Sequence, residues 1–401
     1  MDNILKKDVV QKEALKAWKD NNQQGTIEVI TGLGKTFISL HALYERPKND
    51  DMHLFLAETT SRSKDLLNDI KKYNTIFKKD VLNDYNLQFH CYQEVYKWEK
   101  RKFGLVIADE IHESLTPTYS KFYFNNKYDA IIGLSATIKT SIEYEIDGEK
   151  VTKGMLLDKI APICFKYSID QGQKDSTSRK LNIYVLYHRL DDKTKNVEAG
   201  SKNKRFFQTE KASYNYINKQ FKSSYWIKEE GLKAAMLRVW STKRSNSLYK
   251  LVSKINVVKN VINMISGKSI VFGNNIDSLL QVTPNVVSSR NTKQKNNYIR
   301  DQFDKNKINV IGSFKKLQQG ANLDDLDNCI IMSYYSTEGK FIQEIGRLRD
   351  NDKIGNVFIL VTLETKEEDW FNKMTENASE FNYIHCKDFK HLQKEYTKNN
   401  T

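Results

Sequence analysis

The sequence predicts an α/β protein of two domains, each a parallel sheet flanked by helices, with a helical insertion near the start of the second. A chain of 401 residues is longer than one compact core usually accommodates. Short continuous apolar segments alternate with segments of helical periodicity in both halves, as in buried parallel strands joined by helices. We expect domains at residues 1–165 and 166–390, followed by a frayed polar tail at 391–401.

Composition favours a water-soluble protein without a membrane partner. Hydrophobic residues make up 39% and charged residues 28% of the chain. The longest strongly apolar stretch, residues 357–363, is too short to span a bilayer, and Lys6 and Lys7 lie where a signal peptide would be apolar. The four cysteines form no C-x-x-C pair, which argues against a zinc site or a disulfide framework. We expect a cytoplasmic protein, and the Lys- and Asn-rich composition is compatible with a bacterial or phage source.

The net charge of +14 favours a polyanionic partner such as DNA or RNA. Lysine and asparagine are abundant throughout the chain, however, so the charge can also reflect an AT-rich genome. Charge therefore supports a nucleic-acid partner only together with other features.

A glycine-containing loop follows the first predicted strand and precedes a predicted helix. The loop and the start of the helix comprise Thr31, Gly32, Leu33, Gly34, Lys35 and Thr36. Backbone N–H groups of such a loop, with the helix N-terminus, can surround phosphate oxygens. Lys35 would reach the β- and γ-phosphates of ATP, and Thr36 would offer its hydroxyl to Mg²⁺. The pattern is partial, because Val29 stands where a P-loop usually has its first glycine.

Two further buried strands end in polar residues. The strand at 103–108 runs into Asp109, Glu110 and His112, at the strand ends where ligands bind in α/β sheets. Asp109 can hold Mg²⁺ through water, Glu110 can polarise the attacking water, and His112 either couples the nucleotide to the other lobe or caps the turn. The strand at 130–134 runs into Ser135 and Thr137, whose hydroxyls can bond that acidic loop and relay the nucleotide state.

The order of the T-G-L-G-K-T, D-E-I-H and S-A-T motifs resembles the superfamily 2 helicases, most closely the XPB-like and phage branch-migration group. That resemblance implies two tandem RecA-like lobes that hydrolyse ATP between them. Strands predicted at 181–186, 269–273, 308–312 and 329–333 are compatible with the second lobe. Its fifth motif would include Gly320 and Asn322, which the resemblance implies contact ATP. Gln319 and Asn322 replace the two acids that are usual in this motif.

Residues 341–350 resemble the sixth motif, in which Gln343, Gly346 and Arg347 align. The family pattern places its second arginine at position 350, which is Asp350 here, and Arg349 lies one residue early. The resemblance implies an arginine that reaches the γ-phosphate across the lobes. Either Arg347 or Arg349 can be that arginine.

The resemblance also assigns residues to adenine and to nucleic acid. Gln11, on a predicted helix before the P-loop, corresponds to the glutamine that bonds the adenine base. Thr59 and Arg62 resemble one motif that touches the nucleic-acid backbone, and Tyr92 and Gln93 resemble the next. An ordinary surface turn is an alternative for each of these two segments.

The segment between the lobes is longer than two adjacent RecA-like elements require. Residues 143–151 predict a hairpin, residues 160–165 resemble the crossing into the second lobe, and residues 203–265 predict a basic, aromatic helical insertion. The aromatic residues of the insertion either stack on bases or pack against the second lobe.

The sequence thus predicts a nucleic-acid-dependent ATPase of the helicase or translocase type, with ATP and Mg²⁺ as cofactors and DNA favoured over RNA. DNA is favoured because His112 stands where RNA helicases of the DEAD-box group have aspartate. Two alternatives remain: a catalytically weakened helicase fold that only binds nucleic acid, and another kind of P-loop enzyme. Protein partners are not predicted.

Overall fold

The computed structural model describes residues 2–400 apart from 31, 61, 137, 147, 176, 178, 202, 315–324, 334–340, 342–343, 347, 349–352 and 378–380. The chain forms two compact units, residues 1–178 and residues 179–401. The boundary between the units therefore follows residue 178, whereas the sequence predicts it after residue 165. Each unit contains a parallel sheet flanked by helices, which confirms the predicted α/β class with tandem RecA-like domains.

The first unit is built on a six-stranded parallel sheet with the order β3-β2-β4-β5-β1-β8. Its strands are β1 Gln24–Val29, β2 Met52–Ala57, β3 Asn86–Cys91, β4 Lys102–Asp109, β5 Lys127–Ser135 and β8 Ile163–Tyr167. An antiparallel hairpin, β6 Glu143–Ile146 and β7 Glu149–Thr152, lies where the sequence predicts one. The helices are α1 Asp2–Asp20, α2 Lys35–Tyr44, α3 Arg62–Phe77, α4 Val81–Asp84, α5 Tyr92–Val95, α6 Lys121–Asn125, α7 Lys153–Ile160 and α8 Ile169–Lys174.

Strand order brings the predicted motifs together. β5 lies between β4 and β1, and all three strands run parallel. Their carboxyl ends therefore lie side by side, and each end is followed by one of the motifs. Helices cover both faces, so the central strands are buried on both sides, and β4 is buried from Phe103 to Asp109.

Residues 160–165 do not serve only as a crossing segment. Ile163–Tyr167 forms β8, which pairs in parallel with β1. The hydroxyl of Thr26 in β1 also donates to the carbonyl oxygen of Ala161 over 2.7 Å. The first sheet therefore includes residues that follow the hairpin.

The second unit is built on a seven-stranded parallel sheet with the order β13-β14-β12-β15-β16-β9-β17. Its strands are β9 Leu181–His188, β12 Lys268–Phe272, β13 Val286–Val287, β14 Val310–Ser313, β15 Leu326–Ile331, β16 Gly355–Thr362 and β17 Tyr383–Cys386. The helices are α9 Glu210–Ser223, α10 Glu230–Tyr249, α11 Val252–Met264, α12 Ile276–Val282, α13 Lys293–Asp304, α14 Lys366–Asn377 and α15 Phe389–Asn400.

The predicted insertion differs in part from its expected form. It begins with an antiparallel hairpin, β10 Val197–Ser201 and β11 Lys204–Gln208, before the helices α9 and α10. The helix α11 packs its valines into the core of the second sheet, so it belongs to the lobe itself. The insertion is therefore a hairpin followed by two helices.

The predicted frayed tail is wrong, because α15 continues to Asn400. Leu392 is fully buried against the second sheet. The side-chain amide of Asn400 donates to the hydroxyl of Tyr184 over 3.4 Å. An apolar stripe at helical spacing thus fixes a segment that is mostly polar.

Candidate nucleotide-binding site

Two glycines shape the predicted phosphate-binding loop. Gly32 has φ of 91° and Gly34 has φ of 88°, both in the left-handed region that favours glycine. Gly34 directly precedes α2, and a Cβ atom at this position would lie 2.6 Å from Nε2 of Gln11. The loop therefore has a backbone conformation that favours glycine at both positions, as a phosphate-binding loop requires. Thr31 lies outside the described residues.

Side chains of α1 hold the carbonyl groups of this loop. Nε2 of the buried Gln11 donates to the carbonyl oxygen of Leu33 over 2.7 Å, and Nζ of Lys7 donates to that of Gly32 over 3.1 Å. Because N–H and C=O point in opposite directions across a trans peptide, the N–H groups of Leu33 and Gly34 point away from these donors. The loop thus presents backbone donors on its other side.

Lys35 and Glu110 form an ion pair at the carboxyl ends of the strands. Nζ of Lys35 lies 2.9 Å from Oε1 of Glu110, and both side chains are partly buried. Glu110 has φ of 49°, a conformation that costs a residue with a side chain about 1–3 kcal/mol. Burial opposes its negative charge, but Lys35 and His112 outweigh burial and lower the pKa of Glu110 below its ordinary value. Glu110 is therefore a carboxylate held against the loop lysine.

Arg62 contacts both residues predicted to hold magnesium. Its Nε donates to Oδ2 of Asp109 over 2.7 Å, and its Nη2 donates to the hydroxyl of Thr36 over 2.9 Å. Burial disfavours the charged guanidinium, but Asp109 and then Asp69 raise the pKa of Arg62 above its ordinary value. One cation thus bridges the two oxygens, which lie close together.

The sequence offers little signal for this contact. Arg62 begins α3, which follows β2, and β2 pairs with β4, which ends at Asp109. Only the order of strands in the sheet brings the arginine to the carboxylate. Its predicted contact with nucleic acid stays a prediction.

The predicted contact between the S-A-T and D-E-I-H segments is present. Nδ1 of His112 lies 2.8 Å from the hydroxyl of Ser135, and that hydroxyl lies 3.4 Å from Oε2 of Glu110. Nε2 of His112 lies 3.1 Å from Glu113, and Nζ of Lys153 donates to the carbonyl of His112 over 2.7 Å. His112 therefore connects the carboxylate of Glu110 with β5. Thr137 lies outside the described residues.

The remaining predicted contacts of the first unit differ in exposure. Tyr92 is buried, and its hydroxyl donates to the backbone carbonyl of Asp109 over 2.9 Å, whereas Gln93 is exposed. The carbonyl of Thr59 accepts the backbone N–H of Arg62 over 3.2 Å. The ring of Tyr92 thus supports the end of β4 from within the core.

The site residues predicted in the second unit are not positioned by the structure. Gly320, Asn322, Gln343, Arg347 and Arg349 lie outside the described residues. Their predicted roles stay predictions.

The residues around Arg62 fit a magnesium ion bound together with a nucleotide. Within the described residues, no cluster of three or more His, Cys, Asp or Glu side chains could hold a metal by itself. Magnesium usually takes one or two protein oxygens, with the rest of its ligands from phosphates and water. The hydroxyl of Thr36 and the carboxylate of Asp109 supply such a pair.

Comparison with known proteins gives the site a context. A family model described as the res subunit of type III restriction enzymes matches residues 5–140, which contain the P-loop, D-E-I-H and S-A-T segments. A search of curated protein sequences found no similar sequence. Among the helices that the structure describes, none has the length and apolar character needed to cross a membrane.

Solved structures share the architecture over nearly the whole chain. The ATP-dependent type ISP restriction-modification enzyme LlaBIII, bound to DNA, has a TM-score of 0.59 and 13% identity, covering 97% of this chain but 32% of that enzyme. Dbp5 of S. cerevisiae, bound to RNA and ADP-BeF3, has a TM-score of 0.59 and 11% identity, covering 98% and 93%. The Hef helicase domain of Pyrococcus furiosus has a TM-score of 0.52 and 13% identity, covering 91% and 96%.

The low identities establish a shared fold and no more. This chain spans about a third of the length of LlaBIII. The match to the type III restriction enzyme model covers residues 5–140 and lies within the first unit.

Proposed function

We propose that this protein is a nucleic-acid-dependent ATPase that translocates on or unwinds nucleic acid, with DNA favoured over RNA. One observation carries the proposal: Lys35 with Glu110, and Thr36 with Asp109, converge where the glycine loop meets the carboxyl ends of β1, β4 and β5. Convergence of a loop lysine, two carboxylates and a hydroxyl supports binding of a nucleoside triphosphate and its hydrolysis.

Each residue has a separate task in the proposed reaction. The N–H groups of Leu33 and Gly34 and the start of α2 receive phosphate oxygens, and Lys35 leaves Glu110 to contact the β- and γ-phosphates. The freed carboxylate of Glu110 then orients the attacking water. Magnesium, when bound with the nucleotide, neutralises phosphate charge, and Thr36 and Asp109 are the residues that would hold it.

The contact of His112 with Ser135 supports a coupling role for this pair. Lys35 and His112 both approach Glu110, so a nucleotide that draws Lys35 away changes the charge around His112. The hydrogen bond to Ser135 passes that change to the end of β5. Coupling of this kind connects the nucleotide state with movement on the nucleic acid.

The proposal also specifies which nucleic acid, DNA or RNA, the protein acts on. LlaBIII is bound to DNA and Dbp5 is bound to RNA, so the shared fold is compatible with either polymer. His112 in place of the DEAD-box aspartate supports DNA. The substrate is therefore best tested directly.

The experiment is steady-state ATP hydrolysis by the full chain at low salt, alone and with single-stranded DNA, forked duplex DNA and RNA. We expect strong stimulation by DNA, loss of turnover and of nucleotide binding in Lys35→Ala, and nucleotide binding without turnover in Glu110→Gln. Wild-type turnover by Glu110→Gln would refute the site. No hydrolysis by a wild-type protein that binds DNA would indicate a catalytically weakened scaffold.

A further inference from the structure

Residues 204–250, which we term the arm, carry an unusual concentration of positive charge. The arm consists of β11, α9, a short 3₁₀ helix at Ser224–Trp226 and α10. It contains eleven Lys and Arg against three Asp and Glu, a net charge of +8 within a chain of net charge +14. One of those acids, Glu210, is buried. More than half of the net charge therefore lies in this segment.

Few of these cations are paired within the protein. In the described part of the chain, the ion pairs recorded for them are Arg205 with Glu198 and Lys233 with Glu230. Lys243 and Arg244 instead lie over the rings of Trp240 and Phe221. The remaining cations are open to a polyanionic partner, which would gain from the release of counterions.

The arm also exposes large aromatic side chains. Trp226 is 86% exposed, and four other aromatic side chains of the arm are more than half exposed. They are Phe206, Phe207, Tyr216 and Tyr225. Exposed aromatic surface on this scale marks an interaction site. Aromatic rings beside lysines are the combination that binds single-stranded nucleic acid, since bases stack on the rings and lysines contact the backbone.

The helices α9 and α10 of the arm form a helical hairpin, and the outer faces of both helices are exposed. Tyr216 of α9 contacts Trp240 of α10 edge-on at 6.2 Å, and Arg244 of α10 lies 3.8 Å from the ring centre of Phe221. Of the twenty residues of α10, only Leu248 is buried. A helix of that length extends about 30 Å, so most of its surface is available to a partner.

Hydrogen bonds attach the base of the arm to the rest of the second unit. The buried carboxylate of Glu210 accepts the backbone N–H of Asp191 and both the N–H and the hydroxyl of Ser253. The hydroxyl of Tyr214 accepts the backbone N–H of Lys366 over 2.8 Å. Movement of the second unit would therefore carry the arm with it.

We propose that the arm is a binding surface for single-stranded nucleic acid, in which Trp226 and the neighbouring aromatic residues stack on unpaired bases. The proposal rests on the proposed function for the identity of the polyanion. Single strands are favoured over duplex because bases inside a duplex are already stacked on each other. A protein partner fits less well, since lysine is depleted in the buried parts of protein interfaces.

The test is binding of the full chain to a fluorescent oligothymidylate and to a duplex of equal length, by anisotropy over a range of salt concentrations. Trp226→Ala is expected to weaken binding of the oligothymidylate about ten-fold, and Trp226→Phe to restore much of it. Lys219→Ala/Lys222→Ala should reduce the salt dependence, because two phosphate contacts are lost. Tyr298→Ala is the control, since Tyr298 is an exposed aromatic residue on α13, outside the arm. It should bind as wild type.

Basal ATP hydrolysis is expected to be unchanged in the arm variants, since none of these residues belongs to the nucleotide site. Circular dichroism confirms that each variant is folded. Wild-type oligothymidylate affinity in a folded Trp226→Ala would overturn the arm proposal and leave the ATPase proposal intact. The arm proposal would also be overturned by an arm variant that binds the oligothymidylate normally but no longer binds vesicles of anionic phospholipid. Failure of Lys35→Ala to stop hydrolysis would instead refute the ATPase site without affecting the arm.

Discussion

The guanidinium of Arg62 lies 2.7 Å from the carboxylate of Asp109, and the same group donates to the hydroxyl of Thr36. These two oxygens are the ones that the sequence assigns to magnesium. A guanidinium and a magnesium ion placed beside the same two oxygens repel each other. We therefore expect Arg62 to move away from Asp109 when magnesium binds with a nucleotide.

Replacement of Arg62 by alanine should favour the magnesium-bound nucleotide, because the competing cation is removed. We expect the magnesium concentration needed for half-saturation with a fluorescent ADP analogue to fall several-fold in the absence of nucleic acid. Lys71→Ala, an exposed change on the same helix, is the control and should behave as wild type. Weaker binding of the magnesium nucleotide by Arg62→Ala would instead show that Arg62 contacts the nucleotide.

Gln11 should contribute to nucleotide binding in two ways, by its hydrogen bond to the phosphate-binding loop and by the predicted recognition of the adenine base. Loss of its donated hydrogen bond to Leu33 in Gln11→Ala should weaken nucleotide binding several-fold, since such a bond contributes about 1 kcal/mol. Predicted adenine recognition adds a further loss for ATP alone. The measurement is KM for ATP and for GTP, with Lys12→Ala as control. Equal losses for the two nucleotides would retain the loop contact and exclude adenine recognition.

A buried ion pair should contribute strongly to the stability of the second unit. Nζ of Lys254 lies 2.6 Å from Glu367, and neither side chain is exposed. Lys254→Met should lower the free energy of unfolding by about 3–5 kcal/mol, because it leaves a buried carboxylate without its cation. Replacement of both residues by methionine should recover part of the loss.

Urea denaturation measures these differences. The control is Lys366→Ala, which removes an ion pair with the exposed Asp369 and should cost less than about 1 kcal/mol. Equal decreases in the free energy of unfolding for Lys254→Met and Lys366→Ala would contradict the conclusion that Lys254 and Glu367 form a buried pair that solvent does not screen.

His188 should make stability depend on pH. Burial, and then the nearby ammonium of Lys254, lowers the pKa of His188 to about 3, whereas an unfolded histidine titrates near pH 6.5. Between these values the unfolded chain binds a proton that the native state does not, so stability falls as the pH falls. At pH 5 the loss is about 2 kcal/mol relative to pH 7.

His188→Gln should lose this component of the pH dependence, measured by urea denaturation at pH 7 and pH 5. His391→Gln replaces a histidine on α15 and serves as control. An identical decrease in wild type and His188→Gln would show that His188 does not account for the pH dependence.

The sequence was sufficient for features that depend on local pattern. Continuous apolar segments predicted β4 and β5, and the motifs at their ends predicted which residues would meet. The position of Arg62 and the left-handed conformation of Glu110 could not be predicted in this way. Both depend on strand order and on partners that are distant in the sequence.

The errors have physical causes as well. The tail is polar overall, but Phe389, Leu392 and Tyr396 recur at helical spacing and pack against the sheet, so periodicity outweighs composition. The strand β11 was missed because its two phenylalanines are adjacent, which breaks the alternation expected of a strand with one buried face.

The position of β8 has a practical consequence for dissection of the first unit. The family match ends at residue 140, but β1 is covered on its outer side by Ile163–Tyr167. A fragment that stops at residue 140 would lack β8. The backbone groups of β1, the strand before the P-loop, would then be unpaired along an apolar edge. Such edges pair with other chains, so that fragment should aggregate more readily than one that retains β8.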